Sequence, residues 1–321
     1  MKIVVLDAAT LGPGVDLAPL REAGLTTVYD LTSPEELSER IAGAEVIVTN
    51  KWKLNRDNLK AAAELKLICV TATGYDGIDL AYCRERGIAV CNVPAYSTES
   101  VAQLTLTMVL SLAAHLKEYR DYVSSGAYSA SGIANRLTPV WQELAGKTWG
   151  VVGGGNIGRR VAKLAQAFGC RVLMHRRKQE TEFESADLDA LCRESDIISV
   201  HVPLTGETRG MIGEKEIALM KPGVIFINVA RGAVCDEGAL AEAVERGRIG
   251  ALGVDVFSIE PFPEAHPFSR IMKRPNVCLT PHIAWGALET RNRCIRIVAE
   301  NILAFGAGEN ENRVENKAFP R

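Results

Sequence analysis

Short apolar runs alternate with amphipathic segments from one end of the chain to the other. Four runs near the N-terminus predict the strands of a first module, and helical patterns lie between them: KIVVLD, EVIVT, KLICVT and IAVCNV. Six further runs predict a second module: TWGVVG, RVLMH, DIISVHV, GVIFINV, GALGVDV and NVCLTP. Strands that alternate with helices are typical of parallel sheets covered by helices. The pattern therefore predicts an α/β protein with two doubly wound, Rossmann-like domains.

A long helical pattern separates the two modules. Residues 97–126 carry small or aliphatic side chains on nearly every face and end at Gly126, so one helix buried between layers is expected. A last helix follows the final strand of a module that is already complete, and we expect it to cross back onto the first module. The predicted division is residues 1–97 with 287–321 as the substrate domain, and residues 98–286 as the dinucleotide-binding domain.

Composition narrows the class of protein. The 321 residues are 47% hydrophobic and carry a net charge of -2, which argues against a nucleic-acid partner. The apolar window Val101 to Ala114 contains several polar residues and is too short to span a bilayer, so no membrane association is expected. MKIVVLD lacks the apolar core of a signal peptide, and the eight cysteines form no C-x-x-C pair. These features predict a cytoplasmic protein with reduced thiols and no metal site.

A glycine-rich turn follows the first strand of the second module. Gly153, Gly155 and Gly158 match G-x-G-x-x-G between a predicted strand and a predicted helix. In this context the first glycine permits the tight turn, the second lets the backbone approach a pyrophosphate, and the third lets helix and strand pack closely. The motif predicts a bound dinucleotide.

Basic residues occupy the position that usually selects the cofactor. An acid after the next strand would bind both ribose hydroxyls, but Arg176 lies there, followed by Arg177 and Lys178. An arginine there pairs with a 2′-phosphate, so NADP(H) is favoured and NAD(H) remains possible. The alternative interpretation of the cluster is a solvated basic turn.

Three residues of complementary chemistry follow strands of the second module. Arg231, Glu260 and His282 suit the reduction of a 2-keto acid. An arginine fork can bind the carboxylate and polarise the ketone, and a histidine can donate a proton to the carbonyl oxygen. A carboxylate bonded to the imidazole orients it and favours its protonated form. His201 also ends a strand and is the competing histidine, although no carboxylate lies near it in sequence.

Four segments together resemble the D-2-hydroxyacid dehydrogenase family over almost the whole chain: GGGNIG, NVARG, GVDVFSIEP and LTPHIAWG. The resemblance implies that the active site lies in the cleft between the domains, with Arg231, Glu260 and His282 catalytic. It implies that Thr73 and Gly74 bind the substrate together with Arg231 and His282. It further implies a cofactor pocket that includes Asn156, Ile157, Val202, Pro203, Val229, Ala230, Asp255 and Thr98; Thr98 could equally be a helix cap.

Within this family, TNK, ATGYDGID and VPAYSTESVAQ resemble the glycerate dehydrogenase and hydroxypyruvate or glyoxylate reductase branch. The expected activity is hydride transfer between NAD(P)H and a small 2-keto acid, which gives a D-2-hydroxy acid. Two alternatives remain open: a corepressor-like protein that senses NAD(H), and an NAD-dependent phosphoglycerate dehydrogenase. The segment SASGIANRLTPVWQEL resembles the arm through which relatives form dimers, so a homodimer is expected.

Overall fold

A computed structural model of the chain describes residues 1–177 and 182–316. Its strands are β1 (Lys2–Val5), β2 (Leu25–Val28), β3 (Val46–Thr49), β4 (Leu67–Val70), β5 (Ala89–Cys91), β6 (Thr148–Val152), β7 (Arg171–His175), β8 (Glu184–Ser185), β9 (Ile197–Val200), β10 (Val224–Asn228), β11 (Ile249–Val254) and β12 (Val277–Leu279). Its α-helices are α1 (Ala18–Ala23), α2 (Pro34–Ile41), α3 (Arg56–Leu59), α4 (Leu80–Arg86), α5 (Thr98–Ala113), α6 (Leu116–Ser124), α7 (Ala127–Ser131), α8 (Asn156–Ala167), α9 (Leu188–Glu194), α10 (Glu214–Leu219), α11 (Glu237–Glu245) and α12 (Leu288–Gly306).

The chain folds into two compact units. The first contains Met1–Ser97 and the segment that begins at Trp285, and the second contains Thr98–Ala284. Each unit is built around a parallel sheet with helices, which confirms the predicted α/β class. No α-helix within the described residues is long and apolar enough to cross a membrane.

The first unit contains a five-stranded sheet in the order β2-β1-β3-β4-β5, and its paired strands are parallel. The sequence pattern missed β2 because this edge strand is only half-buried and lacks a continuous apolar run. Helix α12 packs against α1 and β4 and buries Cys294, Ile295, Val298 and Ile302. The C-terminal helix therefore completes the core of the first unit.

The second unit contains a seven-stranded sheet in the order β12-β11-β10-β9-β6-β7-β8, and its paired strands are parallel. The strand β8 was missed as well, because it is two exposed residues at the sheet edge. The strand order reverses between β6 and β9, which lie side by side although β7 and β8 come between them in sequence. In open α/β sheets such a reversal marks the ligand-binding crevice.

The prediction of a single helix over residues 97–126 is wrong, because the segment forms two helices. Helix α5 ends at Ala113, and α6 begins at Leu116 after His115, whose backbone is left-handed with a φ of 49°. The pattern did not reveal this break because neither glycine nor proline occurs there. Helix α5 still buries Val101, Ala102, Met108 and Val109, as a helix packed within a domain should.

Candidate functional site

The carboxyl edge of the second sheet brings the predicted site residues of that unit into one row. Since all strands run in the same direction, the residues that follow them lie on the same side of the sheet. From one end to the other, β12 leads to His282, β11 to Asp255 and Glu260, β10 to Arg231, β9 to Val202, β6 to Gly153, and β7 to Arg176.

The glycine turn between β6 and α8 is closely packed at two of the three glycines of the G-x-G-x-x-G motif. Gly153 has a φ of 111°, and a Cβ atom added there would lie 2.8 Å from the carbonyl carbon of His201. A Cβ atom added at Gly158 would lie 1.8 Å from the Gly153 carbonyl oxygen, so α8 rests directly on the turn. At Gly155 an added Cβ would meet no atom within 4 Å. Packing therefore requires glycine at the first and third motif positions, whereas the second motif position, Gly155, adjoins open space.

The same turn fits the pyrophosphate of a dinucleotide. Gly155 and Asn156 are exposed at the start of α8, and Ile157 is half-buried beside them. The amide groups in the first turn of a helix have no partner within the helix and carry partial positive charge. An anion at this turn would therefore be bound by backbone donors without needing a charged side chain.

Arg176 lies against the glycine turn. A Cβ atom added at Gly154 would lie 2.8 Å from the Arg176 Cδ atom, so the arginine stem passes over this glycine. Arg177 is exposed, and its Nη1 atom lies 3.2 Å from Glu207 Oε2 in an ion pair. Lys178, the third residue of the predicted basic cluster, lies outside the described residues.

The competing histidine, His201, is poorly suited to donate a proton. Its Nε2 atom lies 2.9 Å from Ser199 Oγ, and its buried Nδ1 atom has no hydrogen-bond partner among the described residues. Burial lowers the pKa of His201 from 6.5 to about 3, so the ring is neutral near pH 7.

The segment after His201 folds back on itself, since the Thr208 hydroxyl donates to the Pro203 carbonyl over 2.6 Å. Val202 faces the turn, with Cγ1 3.0 Å from a Cβ added at Gly153.

A buried asparagine shapes the turn that carries Arg231. Asn228 Oδ1 accepts the Ala230 N–H over 3.0 Å, and its Nδ2 atom donates to the Arg231 carbonyl over 3.0 Å. Val229 and Ala230 are buried, whereas Arg231 is half-buried. The Arg231 Nη1 atom donates to the Ala230 carbonyl over 2.8 Å. The side chain of Asn228 thus fixes the backbone from which the arginine emerges.

Asp255 holds the loop that carries His282. Its carboxylate is buried and accepts bonds from the Thr280 hydroxyl at 2.6 Å and from the amides of Ile283 and Ala284, each at 2.8 Å. Burial raises the pKa of Asp255, and these bonds oppose that effect. The sequence interpretation of Asp255 as part of the cofactor pocket stays a prediction. What the contacts show is an anchor on both sides of His282.

Glu260 and His282 form a close pair. His282 Nδ1 lies 2.7 Å from Glu260 Oε2, and Glu260 Oε1 accepts the Phe257 N–H over 2.9 Å. The His282 side chain is 25% exposed and the Glu260 side chain is 31% exposed. Because Nδ1 is bonded to the carboxylate, Nε2 is the nitrogen through which the imidazole can act on a ligand.

The remaining predicted residues lie elsewhere along the chain. Thr98 is the first residue of α5 in the second unit. Thr73 and Gly74 belong to the first unit, in the loop after β4. The Thr73 hydroxyl donates to the Val93 carbonyl over 2.9 Å, and Asn92 Nδ2 donates to the Thr73 carbonyl over 2.7 Å, so this loop is tied to the end of β5.

Sequence reasoning missed several residues that support this site. Asn228 and Thr280 organise the turns around Arg231 and His282, and Gly232 is needed because a Cβ there would lie 2.1 Å from the Phe257 carbonyl carbon. A polar residue at the end of an apolar strand, as in FIN and CLT, was the available signal for the first two. Nothing local in the sequence indicates the close approach at Gly232.

The fold and this row of residues define a nicotinamide-dependent dehydrogenase of the Rossmann class. Residues 106–284 match a family model described as D-isomer specific 2-hydroxyacid dehydrogenase, NAD binding domain. The chain belongs to the D-2-hydroxyacid dehydrogenase family and is an NAD(P)-dependent oxidoreductase.

Known relatives match over nearly the whole chain. A hydroxypyruvate reductase from Blautia hydrogenotrophica is 35% identical over 98% of this chain and 99% of its own. A glyoxylate reductase from Thermococcus litoralis is 39% identical over 88% of this chain and 86% of its own. Among solved structures, a D-lactate dehydrogenase from Aquifex aeolicus complexed with NAD and lactic acid is 33% identical, covers 99% of this chain and 100% of its own, and has a TM-score of 0.86.

Proposed function

We propose that this protein reduces a small 2-keto acid, such as hydroxypyruvate or glyoxylate, to the D-2-hydroxy acid, with NADPH favoured over NADH. The observation that carries the proposal is the contact of His282 Nδ1 with Glu260 Oε2 at 2.7 Å, on the sheet edge that also carries Arg231. The names of the relatives support the two substrates. The segment Thr73 to Gly77 contains no basic residue, which disfavours a phosphorylated acid.

The three side chains have separate tasks in this reaction. Arg231 binds the planar carboxylate of the substrate through its fork and polarises the ketone. His282 donates the proton at its Nε2 atom to the carbonyl oxygen, while Glu260 orients the ring through Nδ1 and favours its charged form. A nicotinamide cofactor, when bound, would supply the hydride for the substrate carbon. The glycine turn with Asn156 and Ile157 would hold its pyrophosphate, and Val202, Pro203, Val229, Ala230, Asp255 and Thr98 would surround the rest.

A spectrophotometric assay tests this function. Purified protein is mixed with NADPH or NADH and with hydroxypyruvate, glyoxylate or pyruvate, and the loss of reduced-cofactor absorbance is followed. We expect turnover with at least one of the first two acids and a higher kcat/KM with NADPH. Absence of turnover with all three acids and both cofactors would contradict the proposal, and 3-phosphohydroxypyruvate serves as the test of the phosphorylated alternative.

Arg176 provides the test of cofactor choice. We expect Arg176→Asp to weaken NADPH binding far more than NADH binding, because a charge-assisted bond to a phosphate contributes about 1.5–3 kcal/mol, or roughly tenfold in affinity or more. Dissociation constants from fluorescence titration measure this without turnover. Arg193→Asp makes the same charge change in α9, where Arg193 faces Asp189, and should leave the ratio unchanged. An equal loss for both cofactors in the Arg176 variant would mean that the cluster is a solvated turn.

We also propose that the protein is a cytoplasmic homodimer. All eight cysteines, which lie within the described residues, are free thiols, as a reducing compartment favours. The segment between α7 and β6 exposes Ile133, Leu137, Val140 and Trp141, and a run of exposed apolar side chains is typical of an interface.

A further inference from the structure

Glu260 lies on a loop that has no regular structure of its own. Between the end of β11 and the 3₁₀ turn Pro267–Arg270, the chain contains neither helix nor strand, and Ser258, Ile259 and Glu260 are exposed. A misplacement of about 1 Å at a reacting group can cost about 10²-fold in rate. A loop of this kind needs a second set of contacts if it is to keep Glu260 against His282.

One buried carboxylate binds both ends of this loop. Glu237, the first residue of α11, accepts the Ser258 N–H over 2.9 Å and also the Ser258 hydroxyl. Its Oε2 atom lies 3.0 Å from His266 Nε2. Ser258 precedes Glu260 by two residues and His266 follows it by six, so a single side chain closes the loop at its base.

The imidazole of His266 is fixed in one orientation. Its Nδ1 atom accepts the Phe268 N–H over 3.2 Å, so the proton that Nε2 donates points at Glu237. The ring is buried among Phe257, Phe262 and Phe268, with centroid distances of 6.1, 4.9 and 5.1 Å. The buried carboxylate is in turn compensated by these donors and by the N-terminus of α11. This pair is therefore a rigid anchor rather than a solvated contact.

The anchored end of the loop also touches the turn of Arg231. A Cβ atom added at Gly232 would lie 2.1 Å from both the Phe257 carbonyl carbon and the Ser258 nitrogen, so the two backbones are in direct contact. A shift of Ser258 would consequently displace Glu260, which follows it by two residues. The same shift would press on the turn that contains Arg231 and Gly232.

We propose that Glu237 and His266 are positioning residues, which act through Ser258 and the loop 258–266 to hold Glu260 against His282. This inference rests on the proposed role of Glu260 and His282 in proton donation. Glu237 bonds to Ser258 and to His266 rather than to His282, so the effect of this pair on the imidazole should pass through Glu260.

The test is a double-mutant cycle on reduction of a 2-keto acid. Glu237→Gln and His266→Phe should each lower kcat by roughly tenfold or more, since both release the loop base. Both should also move the fall of kcat/KM at high pH toward lower pH, which is the shift expected for Glu260→Gln because the carboxylate favours the protonated imidazole. In a Glu260→Gln background, adding Glu237→Gln should change kcat by less than about twofold, because residues that act through one another are not additive. Full additivity, or a Glu237→Gln variant with wild-type kcat and pH profile, would overturn the proposal.

A matched control uses the other end of the same helix. Glu245 pairs with Arg270 of the 3₁₀ turn at 3.6 Å on the surface, and Glu245→Gln should leave kcat and the pH profile unchanged. If Glu237→Gln does not fold, Ser258→Ala removes only the hydroxyl contact and should give a smaller effect in the same direction.

Hydrogen–deuterium exchange provides a readout that needs no turnover. Amides of the peptide 258–266 should exchange faster in Glu237→Gln and His266→Phe than in wild type, and at the wild-type rate in Glu245→Gln. If wild type reduces no 2-keto acid, the proposed function fails while exchange still reports the anchor. If wild type is active but exchange of this peptide is unchanged in both variants, the anchor itself is wrong.

Discussion

The backbone of His282 is left-handed, with a φ of 55°, a conformation that costs a non-glycine residue about 1–3 kcal/mol. Asp255 supplies the compensation, because its carboxylate binds Thr280 before the histidine and Ile283 and Ala284 after it. Its own carbonyl oxygen also accepts the His282 N–H over 2.9 Å. The imidazole is thus presented to Glu260 by a strained turn that a buried acid holds in place.

The Glu260 carboxylate should control the pH range of the reaction. The proposed reduction requires a protonated His282 imidazole, and an adjacent carboxylate favours that form. The rate should therefore hold at low pH and fall as pH rises, and Glu260→Gln should move this fall toward acid. The measurement is kcat/KM for reduction against pH in both proteins. Superimposable profiles would mean that the two side chains do not act together despite their contact.

The contribution of Arg231 to kcat/KM should depend on its planar guanidinium group more than on its charge. Arg231→Lys keeps the charge but cannot form two parallel bonds to a carboxylate, so kcat/KM for a 2-keto acid should fall by roughly tenfold or more. The dissociation constant of NADPH should change little, which fluorescence titration can establish on the same sample. Wild-type turnover by the lysine variant would place the substrate carboxylate elsewhere.

At the scale of elements, two glycines of the turn between β6 and α8 are expected to have different roles: Gly158 in packing and Gly155 in cofactor binding. We expect Gly158→Ala to push α8 away from β6, since the new methyl group would lie 1.8 Å from the Gly153 oxygen. Both the melting temperature and the affinity for NADPH should fall.

Gly155→Ala is the matched comparison, because its methyl group would enter open space. This variant should keep the wild-type melting temperature and lose cofactor affinity alone. Thermal denaturation and fluorescence titration of the two variants give the four values needed. Equal loss of melting temperature in both would mean that Gly155 is also required by packing.

The strands that lead to the chemistry were predictable because each is a continuous apolar run buried in the sheet. The edge strands β2 and β8 were not, since half-exposed strands carry polar residues and give no such run. At the site, the sequence indicated Arg231, Glu260 and His282 as candidates because each follows a predicted strand of the second module. The contacts among Glu237, Ser258 and His266 could not, because they join three segments far apart in sequence, and packing decides which polar groups meet.

At the scale of the whole molecule, the exposed apolar segment should govern assembly. Trp141 is 53% exposed and Val140 is 76% exposed. If two copies bury this segment, Val140→Asp combined with Trp141→Glu should convert the dimer to a monomer. Light scattering after size-exclusion chromatography measures the mass. Leu31→Glu, at a 65% exposed leucine of the first unit, should leave the mass unchanged. A wild-type protein that is already monomeric would contradict the proposed dimer.

The order of strands in the second sheet distributes the candidate site residues along the carboxyl edge of that sheet. His282 follows β12 and Arg176 follows β7, five strand spacings away, which amounts to about 24 Å at about 4.8 Å per spacing. That separation is about three times the screening length of roughly 8 Å at physiological salt. A charge reversal at Arg176 should therefore be invisible to the proton on the imidazole. If Arg176 selects the cofactor as proposed, a substitution there can exchange NADPH for NADH at one end of this edge while the proposed acid–base chemistry at the other end stays unchanged.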